Sequence, residues 1–327
     1  MYKASDSRYD NIKVRRAGDS GLQLPAISFG MWHSYGDDAN FKDSEKVMLE
    51  AFDKGIFSYD LANNYGPSSG AAERMFGQVY RKDLKPYRDE LIITTKAGYH
   101  MWPGPYGSFS SKKTLVAALD ISLKRMGLDY VDIYYSHRFD PNTNLEETAA
   151  ALDGIVKSGK ALYVGISNYN GEQTREITKY FKEMHTPFVV NQVSYNMLNR
   201  EPETDGTIDA LKESNNGLIA YGPLAEGLLT DKYLKGIPDD IKLHWSNSFV
   251  LNSKQEIVNK LNQLNDIAKQ RDQSLAQMGL AWLLNKDIVT SVVTGASTVD
   301  HLNNNLKALD NIEFSADELD AINNILK

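Results

Sequence analysis

Short apolar runs alternate along this chain with longer segments whose apolar residues recur at helical spacing. The first runs, residues 12–16 and 22–24, flank Gly18-Asp19-Ser20-Gly21 and predict a small β-hairpin with a glycine turn. From residue 27 onward the rhythm becomes regular. Strands are predicted over 27–30, 57–60, 91–96, 131–136, 162–166, 188–191, 218–221 and 289–293. Between them the pattern predicts helices over 43–54, with Asp43 as N-cap and Gly55 just beyond, 71–81, and 113–126, closed by Gly127. A further helix opens at a capping box, Thr143-Asn144-Leu145-Glu146, and stops at Gly159. Another opens at Asn170-Gly171-Glu172-Gln173, and one covers 207–214. Ser253-Lys254-Gln255-Glu256 opens the next, and two more cover 275–284 and 301–309. Ser315-Ala316-Asp317-Glu318 opens the last. Two long connections stand out, a Gly- and aromatic-rich loop over 98–109 and a polar segment over 230–252.

Eight strands, each followed by helix, imply a parallel sheet, and eight is the number that closes. The expected fold is a single α/β domain over residues 1–327, a (β/α)8 TIM barrel with the hairpin as plug and a C-terminal helix. A doubly wound open sheet is the competing topology.

Composition narrows the function classes. Hydrophobic residues make up 42% and charged residues 24% of 327, enough for a large core and against disorder. A net charge of -7 argues against a nucleic-acid surface. It leaves room for an anionic substrate held by one local cation. With no cysteine, disulfides, thiolate nucleophiles and Cys-ligated metals are ruled out. The six histidines make no ligand pair at helical or strand spacing, so no metal is expected. The polar first residues give no signal peptide, and no apolar run reaches membrane-spanning length, so a cytoplasmic protein without membrane partners is expected.

The chemistry concentrates at three predicted strand ends. Asp60 ends the second barrel strand, Lys96 the third and His137 follows the fourth, while Tyr65 lies in the loop after Asp60. In such barrels the C-terminal ends of the strands carry the site, so these four side chains should meet. Taken singly, each reads as well as a cap, a snorkelling side chain or a packing residue. Together they form a general-acid device. A tyrosine pKa of about 10 makes a poor acid, and a neighbouring ammonium is expected to lower it. Asp60 would hold Lys96 charged, His137 would align a carbonyl oxygen, and Tyr65 would protonate that oxygen. No side chain supplies hydride, which implies a nicotinamide cofactor.

Three segments carry a resemblance: Asp60-Leu-Ala-Asn-Asn-Tyr-Gly-Pro67, Thr95-Lys-Ala-Gly-Tyr-His-Met-Trp-Pro-Gly-Pro-Tyr-Gly107 and Tyr135-Ser-His-Arg-Phe-Asp-Pro141. From about Lys13 to Lys327 the chain resembles the aldo-keto reductase superfamily. It resembles in particular the bacterial L-glyceraldehyde 3-phosphate reductases, a group similar to the potassium-channel β subunits. The family's catalytic tetrad falls on Asp60, Tyr65, Lys96 and His137.

No Gly-x-Gly-x-x-Gly follows a strand, in keeping with a family that lays its cofactor across the barrel mouth. The stretch Gly154 to Lys160 has phosphate-loop spacing, but it ends a helix and is followed by Ala161, so Gly159 reads as a helix terminator. The resemblance implies nicotinamide contacts at Trp32, Ser167, Asn168 and Gln192, with Tyr221 as stacking face. It implies pyrophosphate contacts along Gly222, Pro223, Leu224, Gly227 and Leu229. The adenosine end falls on Gly295, Ser297, His301, Asn304 and Asn305, with Ser297 at the 2′-phosphate. The expected cofactor is therefore NADP(H), with NAD(H) as the alternative. The family usually carries Gln or Arg where His301 stands and Glu where Asn304 stands.

Trp32, Tyr99, Trp102 and Arg138 flank the tetrad and are the expected substrate contacts. Arg138 is open to two readings, a partner for a substrate phosphate or for Asp140. The resemblance implies NADPH-dependent reduction of small aldehydes, either L-glyceraldehyde 3-phosphate or methylglyoxal-like 2-oxoaldehydes, by a homo-oligomer. The alternative is a regulatory subunit that senses redox state through bound NADP(H). The short N-terminus favours the enzyme.

Overall fold

The computed structural model describes residues 2–243 and 245–327, without the side chains of 245 and 246. Met1, in the polar N-terminal stretch, and His244, in the polar segment over 230–252, lie outside the described residues.

The chain opens with a two-stranded antiparallel hairpin, β1 (Val14–Arg16) and β2 (Gln23–Pro25). Strands and helices then alternate: β3 (Ile27–Gly30), α1 (Phe41–Asp53), β4 (Ser58–Asp60), α2 (Ala71–Val79), β5 (Ile92–Ala97), α3 (Lys112–Met126), β6 (Val131–Ser136) and α4 (Leu145–Lys157). The second half has β7 (Ala161–Ser167), α5 (Gly171–Met184), β8 (Phe188–Ser194), α6 (Thr207–Ser214), β9 (Gly217–Tyr221), α7 (Lys254–Gln270), α8 (Leu275–Leu284), β10 (Val289–Thr294), α9 (Val299–Leu306) and α10 (Ala316–Leu326). β3 through β10 pair in parallel in chain order, and β10 returns to β3, closing the barrel. Closure removes both sheet edges and excludes the open doubly wound sheet.

The hairpin closes the N-terminal mouth, as expected of a plug. Ala17, Leu22 and Leu24 join Ile133, Tyr135, Val189, Val190, Ile219 and Val293 in one apolar cluster inside the barrel. A larger cluster fills the space between strands and helices. Strand interiors are buried on both faces, which is why these segments read as continuous apolar runs rather than alternating ones.

Several helix starts differ from expectation. Asn40, not Asp43, caps α1: its side-chain oxygen accepts from the amides of Lys42 and Asp43, so the helix begins earlier and Asp43 falls in its first turn. At α4 the cap is Asn144, which accepts from the Glu146 amide, in place of a Thr143 box. Ser253 precedes α7 but makes no side-chain cap. The boxes at Asn170–Gln173 and Ser315–Glu318 form, and a further one, Ser274 with Gln277, opens α8. α9 starts at Val299 because the Thr298 hydroxyl receives the His301 amide, and its end tightens into a 3₁₀ turn over Lys307–Asp310. α2 ends at Val79 in a π-turn, Tyr80–Leu84. β8 runs past residue 191 to Ser194, which puts Gln192 in the sheet. Gly159, at φ +76°, stands beyond the end of α4, as a helix terminator should.

Candidate active site

Asp60 ends β4, Lys96 lies near the end of β5 and His137 follows β6, so three adjacent strands deliver three side chains to one mouth. Tyr65 reaches the same place from the loop after β4. The loop is held by backbone bonds from the Leu61 amide to the Thr94 carbonyl and from the Asn63 amide to the Lys96 carbonyl.

Lys96 is wholly buried, and its ammonium has three N–H groups with three acceptors. These are Asp60 Oδ2 at 2.6 Å, the Leu61 carbonyl at 2.8 Å and Tyr65 Oη at 3.3 Å. Asp60 is equally engaged, because its Oδ1 accepts from Thr94 Oγ1 and from Gln192 Nε2, each at 2.9 Å. Thr94 is two residues before Lys96 on the same strand face and registers opposite Asp60. It is a supporting residue that the strand period alone could have revealed.

Electrostatics differ from expectation at Tyr65. Burial, then the charge of Asp60, pushes its pKa well above the usual tyrosine value rather than below it. The phenol is therefore protonated at neutral pH, as a proton donor must be. Burial lowers the Lys96 pKa, against the opposing pull of Asp60. At His137, burial and then the charges of Lys96 and Arg138 hold the pKa well below the usual histidine value, so the ring is neutral. Its Nδ1 is buried with no hydrogen-bond partner among the described residues. Gly98 allows the following loop to pass this close: a Cβ there would stand 3.0 Å from His137 Cβ.

The mouth opens into a cleft of two compartments, each of about 320 Å³, that share Trp32, Tyr65 and Tyr221. One is lined by Asn64, Tyr99, His137, Asn168 and Gln192 besides the shared three. Tyr99 meets the His137 ring edge-on, with centroids 4.6 Å apart. Trp32, 39% exposed, stands over the cleft with its ring on His33 and its centroid 6.3 Å from that of Tyr65. Trp102 packs against the core and does not line the cleft. Arg138 donates from Nε to the Gly98 carbonyl at 2.9 Å and does not pair with Asp140, whose oxygens accept from Ser110, Asn142 and Thr143. That removes the Asp140 reading of Arg138.

The second compartment runs from Tyr221 past Gly222, Pro223, Leu224 and Gly227 to Gly295, Ser297 and His301. Gly222 turns the chain away from β9 in the left-handed region, φ +62°, which favours glycine. Ser297 Oγ and His301 Nδ1 lie 3.1 Å apart at the far end. The remaining expected cofactor residues are placed otherwise. Ser167 is buried and donates to the Gln192 carbonyl. Asn168 donates to the His137 carbonyl and Ser167 Oγ and accepts from the Tyr221 hydroxyl. Leu229 is in the core, Asn304 accepts from Gln277, and buried Asn305 donates to Thr294. Glu226, Met31, Ser34 and Tyr35 also line this compartment and escaped the sequence reading, because they lie in irregular loops with no periodic signal.

The donor set fits a dinucleotide. The cleft is elongated, with amide-bearing side chains and an aromatic face beside Tyr65 and a hydroxyl–imidazole pair at the other end. Among the described residues no group of acidic, His or Cys side chains could hold a metal, and no helix is long and apolar enough to cross a membrane.

Comparison with known proteins agrees with this geometry. The Aldo/keto reductase family model matches residues 26–327, and the chain belongs to that family. It is 51% identical over 324 residues, 98% of this chain and 94% of the relative, to the L-glyceraldehyde 3-phosphate reductase of Escherichia coli (strain K12). It is 32% identical over 315 residues, 94% of each chain, to a probable voltage-gated potassium channel subunit beta of Oryza sativa subsp. japonica. A second such subunit, from Arabidopsis thaliana, is 32% identical over 306 residues, 91% of this chain and 92% of the relative.

Proposed function

We propose that this aldo/keto reductase reduces small aldehydes to primary alcohols with NADP(H), with L-glyceraldehyde 3-phosphate as the first substrate to try and methylglyoxal-like 2-oxoaldehydes as the second. One observation carries the chemistry. Lys96 fills its three donor positions on Asp60, Leu61 and Tyr65, so the Tyr65 oxygen accepts from an ammonium and keeps its own O–H for another acceptor. The substrate assignment leans on the half-identical relative's name.

Trp32, Asn168, Gln192 and Tyr221 would hold the nicotinamide end, and Ser297 with His301 the adenosine phosphate end. When bound, the reduced nicotinamide supplies hydride to the carbonyl carbon. Neutral His137 offers a hydrogen bond that orients the carbonyl oxygen beside Tyr65. Tyr65 releases its proton to that oxygen as negative charge develops there. The phenolate left behind is stabilised by Lys96 at the distance already set, with no rearrangement at the moment of transfer. Asp60 keeps Lys96 in place. Trp32, Tyr99 and Tyr221 reduce water access around the reacting atoms, which strengthens these interactions.

The test is multiple-turnover oxidation of NADPH with short aldehydes, phosphorylated and not. Sustained turnover is expected, lost by about 10²–10⁴-fold in Tyr65→Phe with cofactor affinity retained. The resemblance to channel subunits motivates the second reading, a redox-sensing subunit. Single-turnover oxidation that stops after one equivalent of NADPH, with every aldehyde tried, favours that reading over the first.

A further inference from the structure

The substrate half of the cleft contains no usable positive charge in its lining. Its walls are Trp32, Asn64, Tyr65, Tyr99, His137, Asn168, Gln192 and Tyr221. His137 is neutral, and Lys96 is wholly buried with every N–H engaged. A phosphorylated aldehyde would bring two negative charges into this space. Arg138, immediately after His137, is the cation that stands behind the wall.

Its guanidinium is held but not satisfied. Nε is fixed on the Gly98 carbonyl at 2.9 Å. Its central carbon lies 4.6 Å from the Tyr99 ring centroid and 4.1 Å from that of Phe109, so two rings locate it. Its two terminal nitrogens, four N–H in all, make no hydrogen bond or ion pair with the described residues. The nearest acid in sequence, Asp140, is engaged by Ser110, Asn142 and Thr143. One ring, Tyr99, contacts both the guanidinium and the imidazole that would align the carbonyl. The cation acts across that distance, since its charge adds to burial in keeping His137 neutral.

We propose that the free edge of Arg138 anchors a phosphate carried by the aldehyde substrate. The inference rests on the reductase reading above and names the residue that selects phosphorylated over plain aldehydes. A planar fork with two open N–H pairs matches a phosphate in the bidentate mode that a lysine cannot reproduce. Because Nε is already bonded and two rings already contact the guanidinium, the ligand does not have to order the side chain.

The experiment compares the protein with Arg138→Gln and Arg138→Lys, using glyceraldehyde 3-phosphate and unphosphorylated glyceraldehyde. The ratio of kcat/KM for the first over the second should fall about tenfold or more in Arg138→Gln and recover in part in Arg138→Lys. Orthophosphate should inhibit aldehyde reduction, and its inhibition constant should rise by a similar factor in Arg138→Gln. Equal losses on both aldehydes, no loss on either, or a loss that falls on NADPH affinity would overturn the proposal and leave the reductase reading standing. If the unaltered protein reduces neither aldehyde, that reading fails, and direct orthophosphate titration decides this one. Binding that Arg138→Gln weakens about tenfold upholds an anion site; no binding, or binding unchanged by the substitution, removes it.

Discussion

Lys96 Nζ lies 3.3 Å from Tyr65 Oη and 2.6 Å from Asp60 Oδ2, with the ammonium wholly shielded from solvent. A buried cation is held charged only if its partners are fixed, and here the anion that fixes it also opposes ionisation of the phenol. The site thus keeps Tyr65 protonated at rest and places the stabilising charge where the proton leaves.

This arrangement predicts strong coupling between Asp60 and Lys96. Asp60→Asn or Lys96→Met should each destabilise the fold by about 3–5 kcal/mol, because each leaves a buried partner uncompensated. The double variant should be less destabilised than the sum of the two. All three should lose aldehyde reduction. Urea denaturation at neutral pH reads the coupling; additive losses would mean that the pair does not act as a unit.

His137 should make stability fall on the acid side. Its folded pKa lies well below the ordinary histidine value of about 6.5, so below that pH the unfolded chain binds a proton that the folded one refuses. Stability is therefore present above pH 6.5 and is lost as pH falls from there toward the depressed folded value, by at most about 1.4 kcal/mol per pH unit. His137→Gln should flatten this part of the curve of melting temperature against pH. An unchanged slope would assign the acid sensitivity to other groups.

At the far end of the cleft, His301→Arg should tighten NADP(H) relative to NAD(H). An arginine is always charged and can fork onto a 2′-phosphate beside Ser297, whereas this exposed imidazole is a weaker partner. The ratio of the two dissociation constants should move about tenfold in fluorescence titration. A constant ratio would take His301 away from the phosphate.

Glu73 supports the tetrad from behind the sheet. Its carboxylate, fully buried on α2, accepts from Thr95 Oγ1 at 2.7 Å and from Arg125 at 2.9 Å, and Arg125 also reaches the Asn63 carbonyl in the Tyr65 loop. Glu73→Ala should lower stability by about 3 kcal/mol, with Glu73→Gln milder because it keeps the bond to Thr95. Denaturant midpoints order the variants; equal midpoints for Ala and Gln would show that the charge contributes little.

Much of this protein was legible in one dimension. The alternation of apolar runs and helical segments determined the eight barrel strands, because a parallel barrel buries each strand on both faces. The positions of Asp60, Lys96 and His137 at the ends of adjacent strands followed from that rhythm. Helix starts were less legible, since Asn40 and Thr298 compete with equally good caps nearby and only the chain path chooses between them. The tertiary structure alone decided the sign of the Tyr65 shift, because residue types give the charges while burial and distance decide which influence wins. It alone separated Arg138 from Asp140 and kept Trp102 out of the cleft, because partner choice depends on how the loop over 98–109 packs and not on nearness in sequence. It also tied Gln192 and Asn168, both in the cleft wall, into the scaffold around the tetrad, because each donates its side-chain amide to a neighbouring strand end or loop.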